Sequence, residues 1–158
     1  MGKFTSKTPL IGVPVTDRKQ PHTSQQVSGR KEPLSAPFVD FMQMKACWRV
    51  RRALMVDPYG WHELTPKEVI YIQSKLADFE SRTWNEIFVK SVKQNHSIEI
   101  ARLRCQKAKQ WLKVNMPQQT ELWTLRFTGK QRVWGIFSEG AYQVLFWDPE
   151  HQIMPTLQ

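Results

Sequence analysis

The chain has 158 residues, enough for one ordinary domain or a smaller domain with a tail, but not for two full-sized cores. Lys and Arg number 23 against 14 Asp and Glu, and this formal net charge of +9 favours a polyanion such as nucleic acid as partner. Apolar residues make up 41% and aromatic residues 11%, which argues against a wholly disordered basic protein. The sequence has neither the run of about 20 apolar residues that a membrane span needs nor the apolar stretch of a signal peptide, so we expect a soluble, cytoplasmic protein without a membrane partner.

Residues 1–36 differ in composition from the rest of the chain. They contain four prolines, six basic and two acidic residues, and a single aromatic residue, Phe4. Such a segment cannot bury enough apolar surface to offset the entropy lost on ordering it. We predict a flexible, disordered basic arm over residues 1–36, which either wraps a partner or is simply solvated, and a folded domain over residues 37–158.

Two capping boxes mark helix starts in the first half of the folded domain. Before them, residues 38–48 form an apolar stretch that fits a strand, although periodicity does not exclude a helix, and residues 57–60 have turn chemistry. Thr65 and Glu68, with Pro between them, predict a helix to about residue 80. Thr83 and Glu86 repeat the pattern and predict a second short helix. The two together predict a helical hairpin.

A basic amphipathic helix is predicted next. From Ile98 to Leu112 a narrow apolar stripe recurs at helical spacing, with cations on both sides of it. Arg102, Lys109 and Lys113 fall on one flank, and Arg104 and Lys107 fall on the other. These five side chains are candidate nucleic-acid contacts, although an ordinary solvated helix would show the same pattern.

The last forty residues predict an antiparallel three-stranded meander. Residues 122–127, 132–137 and 142–147 are runs of aromatic and β-branched residues, separated by turns that contain glycine. The fold class is therefore predicted to be α+β, with the helical hairpin and the basic helix packed on an antiparallel C-terminal sheet.

Strand alternation brings two arginines onto the surface of this predicted sheet. Arg126 shares a face with Leu122 and Thr124, while Arg132 shares a face with Trp134. If the two arginines lie side by side, a tryptophan is presented next to two guanidinium groups, an arrangement that suits phosphates and stacked bases. A solvated sheet face with its aromatic residues in the core is the alternative.

Two histidines are candidates for proton transfer, because imidazole exchanges a proton near neutral pH. They are His96 and His151, and Asp148 could orient the imidazole of His151, although Asp148-Pro149 equally fits a plain turn. A metal site built from both histidines, Asp148 and Glu150 is conceivable. The sequence contains none of the patterns GxxxxGK[ST], GxGxxG, HExxH or GxSxG, and we expect no metal or other cofactor.

The two cysteines are expected to be reduced and buried. Cys47 and Cys105 form no CxxC pair, and no histidine lies at metal-ligand spacing from either of them. The sequence therefore predicts neither a disulfide scaffold nor a structural zinc site.

The order of the predicted elements resembles the RelE/ParE-like toxins of bacterial toxin–antitoxin systems over roughly residues 65–151. Residues 122–127 are similar to the family's first meander strand, in which an Arg follows an apolar run. The resemblance implies a metal-independent endoribonuclease that cuts messenger RNA, often on the ribosome, and is neutralised by an antitoxin segment lying across it. It assigns phosphate binding to Arg126 and Arg132, charge neutralisation in the transition state to Lys130, and acid or base catalysis to His151.

Two other classes of protein also fit the sequence. In a non-catalytic RNA- or DNA-binding or ribosome-associated module, the same cations would only contact phosphates. In an assembly protein, residues 1–36 would dock on a larger complex.

Overall fold

The computed structural model describes residues 39–155, so the arm predicted over residues 1–36 lies outside the described residues. Within residues 39–155, two helices, five strands and three short helical segments follow one another. The helices are α1 (Pro66–Glu80) and α2 (Gln106–Asn115), and the strands are β1 (Trp48–Arg49), β2 (His96–Glu99), β3 (Glu121–Arg126), β4 (Arg132–Ser138) and β5 (Ala141–Asp148). The short segments are the 3-10 helices Phe41–Gln43 and Ile100–Arg102 and the π-helical segment Asn85–Val89. None of the described helices is both long and apolar enough to cross a membrane.

The five strands form one mixed sheet in the order β1-β5-β4-β3-β2. The predicted α+β class and the β3-β4-β5 meander are confirmed. The sheet is larger than predicted, because β2 pairs antiparallel with β3 and β1 pairs parallel with β5. The prediction of a purely antiparallel sheet was therefore incomplete. Of the apolar stretch 38–48, residues 41–43 form a 3-10 helix and only Trp48 belongs to β1, and β2 does not stand out as an apolar run in the sequence.

The first capping box produces the helix that it predicts. The backbone N–H of Glu68 donates to the Thr65 hydroxyl at 3.3 Å, and the backbone N–H of Thr65 donates to the Glu68 carboxylate at 2.8 Å. Helix α1 follows and buries Ile72 and Phe79 against the sheet.

The second capping box also forms, but the helix after it is only the π-helical segment. Polar side chains further along the chain donate hydrogen bonds to carbonyl oxygens of this segment. The Ser91 hydroxyl donates to the Glu86 carbonyl at 3.1 Å, and the Asn95 amide donates to the Ile87 carbonyl at 3.2 Å. These side-chain hydrogen bonds compete with those of a regular α-helix. The predicted hairpin is thus one long helix followed by a short helical segment.

The third predicted helix begins eight residues later than the apolar stripe indicated. Ile98 pairs with Leu122 in the β2–β3 ladder, and the backbone N–H of Ile100 donates to the Thr120 carbonyl at 2.8 Å. Because these pairings make residues 96–99 a strand, α2 begins only at Gln106. Arg102 and Arg104 therefore precede the helix, and the prediction that they lie on its flanks was wrong.

The sheet is covered on both faces by separate apolar clusters. One cluster packs α1 and the π-helical segment on one face, where it includes Phe79, Trp84 and Leu125. The other packs α2 and the chain after β5 on the opposite face, where it includes Leu112 and Ile153. The face that α2 covers also carries Arg126 and Arg132, since Leu122 and Trp134 of this second cluster share a face with them by strand alternation.

Neither cysteine is fully buried, contrary to the sequence prediction. Cys47 is exposed beside the start of β1, and Cys105 is half-buried at the start of α2. The Cys105 sulfur lies 3.4 Å from the hydroxyl of Tyr59.

Candidate functional site

The β3–β4 ladder sets the two meander arginines directly opposite each other. Arg126 pairs with Arg132, and Thr124 pairs with Trp134 one step along the same face. Like charges at directly opposite positions destabilise an antiparallel pair. An anion held between the two guanidinium groups would remove this repulsion.

These arginines line a cavity of about 740 Å³. Its walls come from β2, β3 and β4, from the residues on either side of β2, and from the chain after β5. The lining includes both histidines singled out from the sequence, His96 and His151, and also Arg102 and Arg104. The cavity therefore collects side chains that lie about 60 residues apart in the sequence.

The cavity is strongly cationic. Five of its lining residues are Lys or Arg and two are carboxylates, Glu99 and Glu121. In the described part of the chain, no carboxylate forms an ion pair with any of the five cations, which are Lys93, Arg102, Arg104, Arg126 and Arg132. An excess of cations around a concave surface focuses a positive potential that attracts anions.

The guanidinium of Arg132 is fixed in place by the turn between β3 and β4. The side chain is only 8% exposed, and its Nη1 atom donates to the carbonyl oxygens of Thr128 (3.1 Å), Gly129 (2.9 Å) and Gln131 (3.0 Å). Burial, followed by the neighbouring Arg126, lowers the pKa of Arg132, while Asp148 acts in the opposite direction. Arginine stays charged in proteins, so a cation is held ready here before any ligand arrives.

Arg126 combines a fixed backbone with an exposed side chain. Its backbone N–H donates at 2.9 Å to the side-chain oxygen of Asn95, which is buried between β3 and the π-helical segment. The amide nitrogen of Asn95 donates in turn to the Ile87 carbonyl. Asn95 therefore anchors the end of β3, a role that the sequence pattern did not reveal.

A buried carboxylate, that of Asp148 at the end of β5, positions the turn that carries His151. Asp148 is 0% exposed, and it accepts hydrogen bonds from the backbone N–H groups of Gln152 (2.8 Å) and Ile153 (3.0 Å) and from the Trp134 indole (3.2 Å). Asp148 thus holds the turn that carries His151, and no hydrogen bond joins it to the imidazole within residues 39–155. The His151 backbone is left-handed, with φ 58°.

The surroundings of His151 favour its neutral form. Burial contributes most to lowering the pKa of this imidazole, Arg132 and Arg126 also lower it, and Asp148 acts in the opposite direction. A histidine with a lowered pKa carries no proton on one ring nitrogen at neutral pH and can accept one there.

His96 enters the cavity from the edge strand β2. It lies directly opposite Thr124 in the β2–β3 ladder and is half-buried. Thr124 is 2% exposed, and its hydroxyl finds no hydrogen-bond partner among the described residues. Lys93, just before β2, completes this side of the cavity, and nothing in the sequence pattern singled it out.

Several predicted site residues lie elsewhere or are covered. Lys130 does not line the cavity and pairs with Glu150 at 3.2 Å. Trp134 lines the cavity but is only 1% exposed, because α2 and the chain after β5 pack over it, so its ring offers no stacking surface. The three α2 cations are also outside: Lys107 lines a different groove, beside Trp111, Lys109 donates to the Ala101 carbonyl, and Lys113 is exposed in the last turn.

The conceivable metal set is not arranged as ligands. Both carboxylate oxygens of Asp148 already accept hydrogen bonds, and Glu150 is paired with Lys130 outside the cavity. What the cavity does bring together is two guanidinium groups, a neutral imidazole and a second imidazole, which can bind a phosphate and exchange protons with it.

In comparisons with protein-family models, curated proteins and solved structures, none matches the chain. Any assignment of function therefore has to be argued from the cavity and its side chains.

Proposed function

We propose that the protein is a metal-independent endoribonuclease that cleaves messenger RNA in the cavity lined by Arg126, Arg132 and His151. The observation that carries this proposal is that these three side chains, from β3, β4 and the chain after β5, line one cationic cavity without an ion-pair partner among residues 39–155. The proposal agrees with the resemblance of the predicted elements to RelE/ParE-like toxins. On this proposal the partners are messenger RNA, the ribosome and an antitoxin segment.

The two arginines would bind the scissile phosphate. A guanidinium group donates two parallel hydrogen bonds to phosphate oxygens, and the pair faces one another across the β3–β4 ladder. Negative charge grows on the phosphate oxygens as the transition state forms, so preorganised cations stabilise it more than the ground state. Arg132 is the preorganised member, because three turn carbonyls already hold its guanidinium.

His151 would act as the general base. Its imidazole is neutral at physiological pH because burial and the two arginines lower its pKa. It can therefore take the proton of the ribose 2′-hydroxyl as that oxygen attacks phosphorus. This chemistry uses RNA's own nucleophile, so the chain has to supply only orientation, charge and proton transfer.

The remaining cavity cations fit a polymer better than a small anion. Lys93, Arg102 and Arg104 lie outside the facing pair but line the same cavity. The nucleic-acid backbone carries one charge per nucleotide, so cations beyond the scissile phosphate can contact its neighbours.

The test is cleavage of end-labelled single-stranded RNA by the purified full chain in the presence of EDTA. We expect the wild type to cut the RNA, and Arg126→Ala and His151→Ala to slow cleavage by roughly 100-fold or more. Arg49→Ala is the matched control, because Arg49 is an exposed arginine paired with Glu139 outside the cavity. Equal rates for all four proteins, or no cleavage by the wild type, would refute the proposal.

The second candidate is a module that binds RNA without cutting it. The observation that favours it is the number of unpaired cations, since phosphate binding alone would account for all five. This candidate predicts that the wild type binds RNA with a strong salt dependence but leaves it intact, and that Arg126→Ala weakens binding.

A further inference from the structure

The cavity contains a second imidazole that the proposed function does not yet use. His96 lies on the β2 side of Arg126, and the charge of Arg132 acts on the His151 pKa more strongly than that of Arg126 does. Across the sheet, β4 carries Arg132, β3 carries Arg126 and the edge strand β2 carries His96, while the chain after β5, which packs over Trp134 of β4, carries His151. Neighbouring strands are about 4.8 Å apart, so β4 and β2 are separated by roughly 10 Å. A phosphodiester bound by the arginines would lie between the two imidazoles.

In-line displacement needs a proton donor on the far side of the phosphate. The attacking and leaving oxygens lie on opposite sides of phosphorus, so the group that deprotonates the 2′-hydroxyl cannot also reach the departing 5′-oxygen. That oxygen leaves as a strongly basic alkoxide unless it is protonated as the bond breaks. A donor is therefore needed on the β2 side, away from His151.

We propose that His96 is the general acid of this reaction and that cleavage leaves a 2′,3′-cyclic phosphate and a 5′-hydroxyl. This inference depends on the proposed ribonuclease function. The 2′-oxygen forms a bond to phosphorus and its proton passes to His151, while the bond from phosphorus to the 5′-oxygen breaks and that oxygen takes a proton from His96. No water and no metal is consumed, and the two imidazoles afterwards exchange protons with solvent.

His96 is the imidazole on the β2 side of the cavity, and imidazole exchanges a proton near neutral pH. Its imidazole makes no hydrogen bond to another side chain or backbone group in the described range, so both ring nitrogens are available to a ligand. Its backbone is held on one side by the pairing with Thr124 and on the other by buried Asn95. The two carboxylates, Glu99 and Glu121, face each other at the opposite end of β3 from Arg126.

The experiment compares two RNA substrates that differ only in the leaving atom. One is an oligonucleotide with a normal 5′-oxygen at a single ribonucleotide, and the other carries a 5′-bridging sulfur there, which leaves as a thiolate without needing a proton. We expect His96→Ala to slow cleavage of the oxygen substrate about 100-fold or more, and to slow cleavage of the sulfur substrate less than about 10-fold. His151→Ala should slow cleavage of both. His62→Ala is the matched control, because His62 is paired with exposed carboxylates outside the cavity and its loss should change neither rate.

Each outcome decides the inference. Equal losses on the two substrates would overturn it, because His96 would then support binding or folding rather than protonate the leaving group. No loss on either substrate would overturn it as well. If the wild type cleaves neither substrate, the proposed function itself fails; a failure confined to the His96 variant leaves that function standing. Circular dichroism and the thermal midpoint of His96→Ala establish that the variant is folded.

Discussion

The buried carboxylate of Asp148 provides a quantitative test of how the turn that carries His151 is held. Its two oxygens accept three N–H groups, from Gln152, Ile153 and Trp134. The substitution Asp148→Asn keeps the size but leaves one oxygen, so an NH₂ group must face at least one N–H donor. A hydrogen bond to a charged group contributes about 1.5–3 kcal/mol, and a buried unsatisfied donor costs a similar amount. We expect the free energy of unfolding to fall by about 3 kcal/mol.

The measurement is urea and thermal unfolding of the full chain, followed by tryptophan fluorescence and circular dichroism. A loss of about 3 kcal/mol corresponds to a fall of roughly 10 °C in the thermal midpoint for a folded domain of this size. Asp57→Asn is the matched control, because this exposed carboxylate should change stability by less than about 0.5 kcal/mol. If Asp148→Asn unfolds within about 1 kcal/mol of the wild type, the argument that Asp148 anchors this turn is wrong.

Three further predictions concern the imidazole of His151, the side chain of Arg126 and the N-cap of α1. In an NMR titration the His151 ring should have a pKa below its ordinary value of 6.5. Arg126→Ala should raise this pKa, because the substitution removes a positive neighbour that disfavours the imidazolium, and an unchanged midpoint would contradict this. Arg126→Ala should also reduce the slope of log affinity for single-stranded RNA against log salt by about 0.7, and an unchanged slope in filter binding would mean that Arg126 does not contact phosphate. Thr65→Ala should cost about 1 kcal/mol in urea unfolding without changing RNA cleavage, since it removes the hydroxyl that accepts the Glu68 N–H and donates to the Glu68 carboxylate, far from the cavity. A cleavage defect would link α1 to the site.

The elements predicted correctly are those specified by local sequence. Helix α1 begins at a capping box that needs only residues 65–68, and β3, β4 and β5 are apolar runs separated by glycine turns. Strand β2, which was missed, and β1, of which only Trp48 lies in the predicted apolar stretch, are defined by their partners instead. The two residues of β1 and the four residues of β2 become strands only because β5 and β3 offer them a ladder. The apolar stripe starting at Ile98 fits a helix equally well until that pairing is known.

The features of the candidate site also fall into two groups, those that local sequence specifies and those that depend on contacts between distant elements. Strand alternation places Arg126 on a face with Thr124 and Arg132 on a face with Trp134, because side chains on a strand alternate regardless of the rest of the fold. Only the β3–β4 register, which pairs Arg126 with Arg132, puts the two arginines on the same face. Other features depend on the rest of the fold. Trp134 is buried because α2 packs over the sheet. Lys130 lies outside the cavity and pairs with Glu150, which follows a different strand. The side-chain hydrogen bonds of Asn95 join the backbone of Arg126 in β3 to the π-helical segment, and no local sequence pattern predicts them.

The most direct test of the central claim is the mass of the fragments formed when the full chain is incubated in EDTA with single-stranded RNA and with its 2′-O-methyl counterpart. The account predicts that the RNA is cut into fragments ending in a cyclic phosphate, because the 2′-hydroxyl is the nucleophile, and that the 2′-O-methyl strand stays intact. Cleavage of the 2′-O-methyl strand, or RNA recovered whole, would contradict it.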